Sequence, residues 1–231
     1  MLDLFPEGFE EADRGEVLEF SAYTGADGER RARADFGIVL ASEIPVDWEE
    51  RWKRFHRPVE IGGMWVGPPW EAVPAGVPSI TIDPGRAFGT GGHATTRLCL
   101  ELLSGLARGS LLDVGCGSGV LSIAAAKLGF SPVIALDNDA SAVDATGRNA
   151  EANGVALEIR RLDARIDPLP KADVALANIS EQMVAAVAPR LACDVLVTSG
   201  YFEPHVPRLA GFRRLERRTL DGWAADLHAP E

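Results

Sequence analysis

The fold is decided by the stretch Leu111-Leu112-Asp113-Val114-Gly115-Cys116-Gly117-Ser118-Gly119. A short apolar run leads into alternating glycines, and the segment after them, Val120–Leu128, has the composition of a helix. This order predicts a buried strand, a tight turn and a helix, because only residues without a Cβ turn so sharply and let a ligand lie against the backbone. The G-x-G-x-G spacing differs from the dinucleotide fingerprint G-x-G-x-x-G, and the Gly-Lys-Ser/Thr ending of a phosphate-binding loop is absent.

The rest of this half of the chain repeats the strand–helix alternation. Continuous apolar runs predict buried strands, and the segments between them predict helices. The strands are expected at Leu111–Val114, Val133–Leu136, Leu157–Leu162, Val174–Ala177 and Val195–Thr198, and the helices at Val120–Leu128, Ala140–Asn153 and Glu181–Leu191. The predicted fold class is therefore α/β, a mostly parallel sheet with helices on both faces. Asp221-Gly222 predicts a hairpin turn that joins a closing antiparallel pair, Phe212–Leu220 and Trp223–His228.

An acidic residue follows the second predicted strand. Asp137 lies 22 positions after Gly115, near the spacing of an acid that binds ribose hydroxyls, so an adenosine-bearing cofactor is implied. Asn138 and Asp139 come next and allow a metal pair as an alternative, but a ribose ligand followed by a helix cap is the simpler interpretation. The predicted site therefore contains no metal.

Asn178 ends the fourth predicted strand. Ligands of open α/β sheets bind at the carboxyl ends of the strands, which places this amide at the predicted site. A buried asparagine that only forms a turn is the alternative.

These elements resemble the class I methyltransferases, which use S-adenosylmethionine and whose first strand carries D-x-G-x-G-x-G. Upstream, the run Ile82-Asp83-Pro84-Gly85-Arg86-Ala87-Phe88-Gly89-Thr90-Gly91-Gly92-His93-Ala94-Thr95-Thr96 is similar to the signature of the PrmA family, whose members methylate ribosomal protein L11. With a Trp48–Phe55 helix and a terminal Gly222-Trp223 strand, the resemblance covers about residues 45–231. It implies a Rossmann-like domain with a seven-stranded sheet.

The resemblance also implies site residues. Cofactor contacts are expected at Thr96, Gly115, Asp137 and Asn178, with Gly117 in the same turn and Phe88 in a loop that covers the cofactor. Asn178 lies where substrate and cofactor are expected to meet, and His93 is a candidate proton relay that has loop fixation as its alternative. Thr96, at a helix start, offers a hydroxyl and an N–H group to the cofactor carboxylate.

Three segments are predicted. Residues 1–44 form a short acidic α+β segment, with a strand near Glu16–Tyr23; residues 45–78 form a linker helix and a Gly/Pro-rich connection; residues 79–231 form the methyltransferase domain. Family members open with a ferredoxin-like recognition domain, and residues 1–44 resemble only its later part. Either the domain is reduced or the true start codon lies upstream of Met1.

Charge and composition limit the partners. The net charge is −11, and residues 1–50 hold 14 acidic residues against four arginines, so this segment is a plausible docking surface for a basic protein and a poor one for nucleic acid. Three cysteines without C-x-x-C spacing indicate neither disulfides nor a zinc cluster. No run is apolar enough to span a membrane and no signal peptide is recognisable, so a cytoplasmic protein is expected. A monomer is expected as well.

The predicted function is methyl transfer from S-adenosylmethionine to lysine or N-terminal amines of a basic protein, with ribosomal protein L11 as the substrate that the resemblance implies. Two alternatives stay open: a methyltransferase of the same fold with another protein or small-molecule substrate, and a non-catalytic module that binds S-adenosylmethionine.

Overall fold

A computed structural model describes residues 10–13, 18–21, 26–36, 39–40, 57–83 and 91–231, and the chain forms two compact units, Met1–Glu50 and Arg51–Glu231. In the first unit, β1 (Glu10–Asp13) pairs with β2 (Leu18–Ser21) in antiparallel register, and α1 spans Ala26–Asp35. β2 lies within the predicted strand at Glu16–Tyr23. The predicted helix at Trp48–Phe55 lies outside the described residues. The division of the chain into three segments stays a prediction.

The second unit contains a small three-stranded sheet before the main domain. β3 (Val59–Ile61) pairs antiparallel with β4 (Met64–Gly67), which pairs parallel with β5 (Ser79–Thr81). The sequence predicted a Gly/Pro-rich connection here and did not predict these strands. Its glycines and prolines concentrate in turns, where Gly62 and Gly63 take positive φ angles of 57° and 77°, and leave the short apolar segments free to pair.

The main sheet has seven strands: β6 (Leu111–Val114), β7 (Val133–Asp137), β8 (Glu158–Arg161), β9 (Val174–Asn178), β10 (Val195–Phe202), β11 (Phe212–Leu220) and β12 (Trp223–Pro230). Their order in the sheet is β11-β12-β10-β9-β6-β7-β8, and β12 is antiparallel to both neighbours whereas β10, β9, β6, β7 and β8 are parallel. Its helices are α2 (Ala94–Ser104), α3 (Val120–Leu128), α4 (Ala140–Ala152) and α5 (Glu181–Val187). The predicted α/β class is confirmed.

The central strands β6, β7 and β9 are buried on both faces, which explains their continuous apolar sequences. The prediction of a buried strand at Leu157–Leu162 is wrong in its burial, because β8 lies at the edge of the sheet and is mostly exposed. Alternate residues of a strand point to opposite faces. Leu111 packs in one cluster with side chains of α2 and α3, whereas Leu112 and Val114 pack in a second cluster with Val184 of α5. A strand buried on both sides has no polar face, as the sequence predicted.

One predicted detail of the chain path is found as well, and another differs. Asp221 and Gly222 adopt positive φ angles of 50° and 79° between β11 and β12, the conformation that a two-residue hairpin turn requires. The helix predicted to reach Leu191 instead ends at Val187 and continues as a 3₁₀ turn, Ala188–Arg190. Pro189 lacks the N–H that an α-helix needs at this position.

The topology creates a crevice. The chain runs from β6 to β7 and β8 on one side and then returns to place β9 on the other side of β6. Connections therefore leave the carboxyl ends of β6 and β9 in opposite directions, which opens the ligand-binding crevice of such sheets. Among the described residues, no helix is long and apolar enough to cross a membrane.

Candidate functional site

A cavity of about 520 Å³ lies at the carboxyl ends of the central strands. Its wall combines the ends of β6, β7 and β9 with the start of α2 and part of the final hairpin. The lining residues include His93, Thr96, Asp113, Gly115, Gly117, Asp137, Asn178 and Trp223. All of the described residues that the sequence marked as candidates therefore meet in one place, whereas Phe88 lies outside the described residues.

The glycine-rich turn has the backbone that its sequence predicted. Gly115, Gly117 and Gly119 take positive φ angles of 76°, 56° and 82°. The N–H groups of Gly115 and Cys116 both donate to the Leu136 carbonyl, at 2.8 and 2.9 Å, which ties the turn to β7. A Cβ on Gly115 would lie 2.4 Å from Cγ2 of Ile179, so the turn and the end of β9 approach as closely as only glycine permits.

Asp137 holds the turn from the end of β7. One carboxylate oxygen accepts from the N–H of Gly117 at 3.0 Å, and the other accepts from the N–H of Asp139 at 3.0 Å. Asp139 is the N-cap of α4 and accepts from the N–H of Ser141 at 2.9 Å. This assigns a capping role to the second acid of the Asp137-Asn138-Asp139 run, and the described residues contain no cluster suited to a metal ion.

Asp113 is a second acid in the cavity wall, and its side chain is buried. Burial is the main cause that raises its pKa to about 6; the nearby Asp137 carboxylate adds to this, whereas the hydroxyl of Ser122, which donates to it at 2.5 Å, acts in the opposite direction. The site therefore holds a carboxyl group that titrates near neutrality beside the more exposed Asp137.

The start of α2 forms another part of the wall. His93 is its N-cap, and Nδ1 accepts from the N–H of Thr95 at 3.3 Å and lies 2.8 Å from the Thr95 hydroxyl. Because Nδ1 acts as an acceptor, the neutral ring carries its proton on Nε2. Burial lowers the pKa of His93, and its ring contacts Trp223 edge-on at 4.8 Å between centroids. This geometry supports the loop-fixing alternative, and the proton-relay role stays a prediction.

Two polar atoms in the wall are buried without a hydrogen-bond partner among the described residues: Oγ1 of Thr96 and Oδ1 of Asn178. Thr96 lies in the first turn of α2, where backbone N–H groups lack helical acceptors, and Asn178 is the last residue of β9. Buried polar atoms normally form hydrogen bonds. The hydroxyl of Thr96 and the amide oxygen of Asn178, in the same cavity, have no such bond to the described residues, which indicates that a ligand supplies their partners.

The end of β9 is wedged between two glycines. Ile179 packs against Gly115 on one side, and on the other side a Cβ on Gly200 would lie only 1.9 Å from the Ile179 carbonyl oxygen. Gly200 has a φ of 101° and sits at the bulge where β10 shifts register against β12. The position of Asn178 therefore depends on both glycines.

The sequence interpretation missed several wall residues. Leu162, Asp163 and Ala164 follow β8, and the rule that ligands bind at strand ends would have found them. Met183 on α5 and Trp223 at the start of β12 gave no local indication, because their position depends on tertiary packing. Trp223 is stacked on Phe202 with 4.3 Å between ring centroids.

Comparisons with known proteins indicate the family of this chain. The sequence profile of the family described as ribosomal protein L11 methyltransferase (PrmA) matches residues 26–203. The ribosomal protein L11 methyltransferase of Actinobacillus pleuropneumoniae serotype 3 is 41% identical over 167 residues, which cover 70% of this chain and 57% of that protein. The protein of the same name from Shewanella sediminis is 36% identical over 217 residues, covering 87% of this chain and 71% of the relative.

A solved structure is similar in fold as well. The crystal structure of a ribosomal protein L11 methylase from Lactobacillus delbrueckii subsp. bulgaricus matches with a TM-score of 0.68 and 25% identity, covering 76% of this chain and all of that one. The matched part spans only a little over half the length of several of the curated relatives, 57% in the Actinobacillus protein. The profile nevertheless covers most of the sequence, including β6, the glycine-rich turn and Asn178, and the chain belongs to the ribosomal protein L11 methyltransferase (PrmA) family.

Proposed function

We propose that this chain is an S-adenosylmethionine-dependent methyltransferase that methylates lysine or N-terminal amines of ribosomal protein L11. The observation that carries the proposal is the pair of unsatisfied buried atoms, Oγ1 of Thr96 and Oδ1 of Asn178, in a cavity beside the glycine-rich turn. Family membership supports the same activity.

The residues present fit the cofactor. The N-terminus of α2 and the Thr96 hydroxyl offer donors suited to a carboxylate. Asp137 already accepts two backbone N–H groups, and its remaining lone pairs are available to ribose hydroxyls. Asp113 adds a second carboxyl group to the cavity wall. When bound, S-adenosylmethionine supplies an electrophilic methyl group on a positively charged sulfur.

The protein's own contribution to methyl transfer is alignment and exclusion of water. A displacement of this kind needs no protein nucleophile, so positioning of the two reactants supplies most of the acceleration. Trp223 and Ile179 provide apolar wall, and Oδ1 of Asn178 provides an acceptor that can orient an amine N–H group. The pKa of a lysine amine in water is about 10.4, so the amine is protonated at neutral pH and has no free lone pair. Exclusion of water lowers this pKa.

The substrate assignment is tested by methyl transfer in vitro. Purified chain, S-adenosylmethionine with a labelled methyl group and unmodified ribosomal protein L11 are expected to give labelled L11, whereas Asn178→Ala should lose most of the transfer and retain its fold. Label on other basic proteins with none on L11 would move the assignment to a methyltransferase with a different substrate. Binding of S-adenosylmethionine in a titration without transfer to any candidate would favour a non-catalytic module.

The acidic segment offers a separate test of the substrate. Residues 1–50 carry 14 acidic residues and four arginines, and opposite charges on a partner accelerate association, an effect that salt screens. We therefore propose that this segment helps to dock the basic substrate. The KM for ribosomal protein L11 is expected to rise with ionic strength while the affinity for S-adenosylmethionine changes little.

A further inference from the structure

Polar side chains with no assigned role lie on one face of α4 and at its C-cap, Asn153. Thr146, Asn149 and Asn153 follow one another at spacings of three and four residues, which places them in line along a helix. Thr146 is fully buried and Asn149 is 3% exposed. Buried polar groups are costly unless they are hydrogen-bonded, so their partners indicate what these residues do.

Two of the three side chains bind the glycine-rich turn. Oγ1 of Thr146 donates to the Gly117 carbonyl at 3.0 Å, and Nδ2 of Asn149 donates to the Ser118 carbonyl at 2.8 Å. Asp137 accepts the N–H of Gly117 from the opposite side. Gly117 is thus held by its N–H from β7 and by its carbonyl from α4, which fixes the orientation of the peptides on both sides of it.

Asn149 also reaches a second segment of the site. Its Oδ1 accepts from the N–H of Asp83 at 3.1 Å, so one carboxamide joins the turn to the chain that leads from β5 toward α2. Asn153, one helical turn further on, binds Thr81: its Oδ1 accepts from the Thr81 N–H at 2.9 Å and its Nδ2 donates to the Thr81 carbonyl at 2.6 Å. The same Nδ2 also donates to the Asn149 main-chain carbonyl at 2.8 Å, a bond within the end of the helix. None of the hydrogen bonds that the Asn153 side chain makes to described residues reaches the glycine-rich turn.

We propose that Thr146 and Asn149 are positioning residues of the cofactor site, acting through the peptide groups of Gly117 and Ser118. The inference rests on the proposed binding of S-adenosylmethionine to this turn. A backbone built from glycines with positive φ angles has other conformations available, and each of them costs little. The two side chains remove that freedom before a ligand arrives, so less entropy is lost when it binds.

The test separates the hydroxyl of Thr146 from its volume. Thr146→Val has a similar shape but no donor for the Gly117 carbonyl, whereas Thr146→Ser keeps the donor. Asn153→Ala at the C-cap of the same helix is the matched control, since it removes partly buried hydrogen bonds that do not reach the turn. The dissociation constant for S-adenosylmethionine is measured by calorimetric titration and the melting temperature by differential scanning calorimetry.

Thr146→Val is expected to weaken S-adenosylmethionine binding by roughly 3- to 10-fold, the loss of about one hydrogen bond. Thr146→Ser is expected to restore most of the affinity, and Asn153→Ala to lower the melting temperature without changing affinity. Equal affinities for wild type and Thr146→Val, or Thr146→Ser binding as weakly as Thr146→Val, would overturn the inference. A wild-type protein that does not bind S-adenosylmethionine would instead overturn the proposed function.

Discussion

Gly200 gives the sharpest test of how the site is held in place. In Gly200→Ala the new Cβ would lie 1.9 Å from the carbonyl oxygen of Ile179, whereas real Cβ atoms essentially never approach closer than 3.0 Å. One of the two segments must therefore move by about 1.1 Å, the difference between those two distances. The neighbour is backbone, not a flexible side chain, and it directly follows Asn178.

The energetic cost has two parts. A non-glycine residue at a positive φ, here 101°, costs roughly 1–2 kcal/mol, and overpacking costs about 1–3 kcal/mol more. Gly211→Ala is the matched control: φ at Gly211 is 82°, but a Cβ there meets nothing within 4 Å, so only the first cost applies. In a chain of this size, about 2–4 °C per kcal/mol places the melting temperature of Gly200→Ala roughly 2–12 °C below that of Gly211→Ala.

The assay combines scanning calorimetry with titration of S-adenosylmethionine. We expect Gly200→Ala to weaken binding because Asn178 moves with Ile179, and Gly211→Ala to bind as the wild type does. Equal melting temperatures and equal affinities for the two variants would show that the wedge between Gly200 and Ile179 does not position Asn178.

Three further outcomes are expected. Asp137→Ala should weaken S-adenosylmethionine binding by roughly 10- to 100-fold, because hydrogen bonds to a charged group contribute about 1.5–3 kcal/mol, and an unchanged titration would remove the ribose-binding role. The pKa of Asp113 is raised to about 6, above its ordinary value of 3.8. Its contribution to the free energy of unfolding is therefore full below the ordinary value and is lost as pH rises through about 6. Denaturant unfolding should show that the stability of Asp113→Asn increases relative to that of the wild type between pH 4 and pH 7. Burial lowers the pKa of His228, so its contribution to the free energy of unfolding is present above the ordinary value of 6.5 and is lost as pH falls below it. His228→Gln should reduce this loss of stability on the acid side. An unchanged dependence of stability on pH would contradict the lowered pKa of His228.

The fold followed from local patterns because each pattern has a direct structural cause. Continuous apolar strands such as Val174–Asn178 are buried on both faces, and Asp221-Gly222 has the residues that a tight hairpin turn requires. The strands β3 and β4 were missed because each has only a few residues, too few for a periodic pattern.

The candidate site was predictable where the chain itself marks a strand end. Asp137 and Asn178 are the last residues of β7 and β9, and parallel strands bring such ends to one edge of the sheet. Trp223 lies across the same cavity for a different reason: β12 enters antiparallel beside β10 and pairs Trp223 with Phe202. No property of the residues around Trp223 specifies that register.

The sequence by itself determined the α/β class, the glycine-rich turn and the polar residues at the strand ends, because backbone sterics and apolar periodicity act over a few neighbouring residues. Only the tertiary structure decided how those residues are held. Thr146 binds the carbonyl of Gly117, which lies 29 positions earlier in the sequence. Gly200 packs against Ile179, and the residues around Gly200 in the sequence do not indicate this contact. Contacts between distant segments depend on how helices and strands pack, and local patterns do not contain that information.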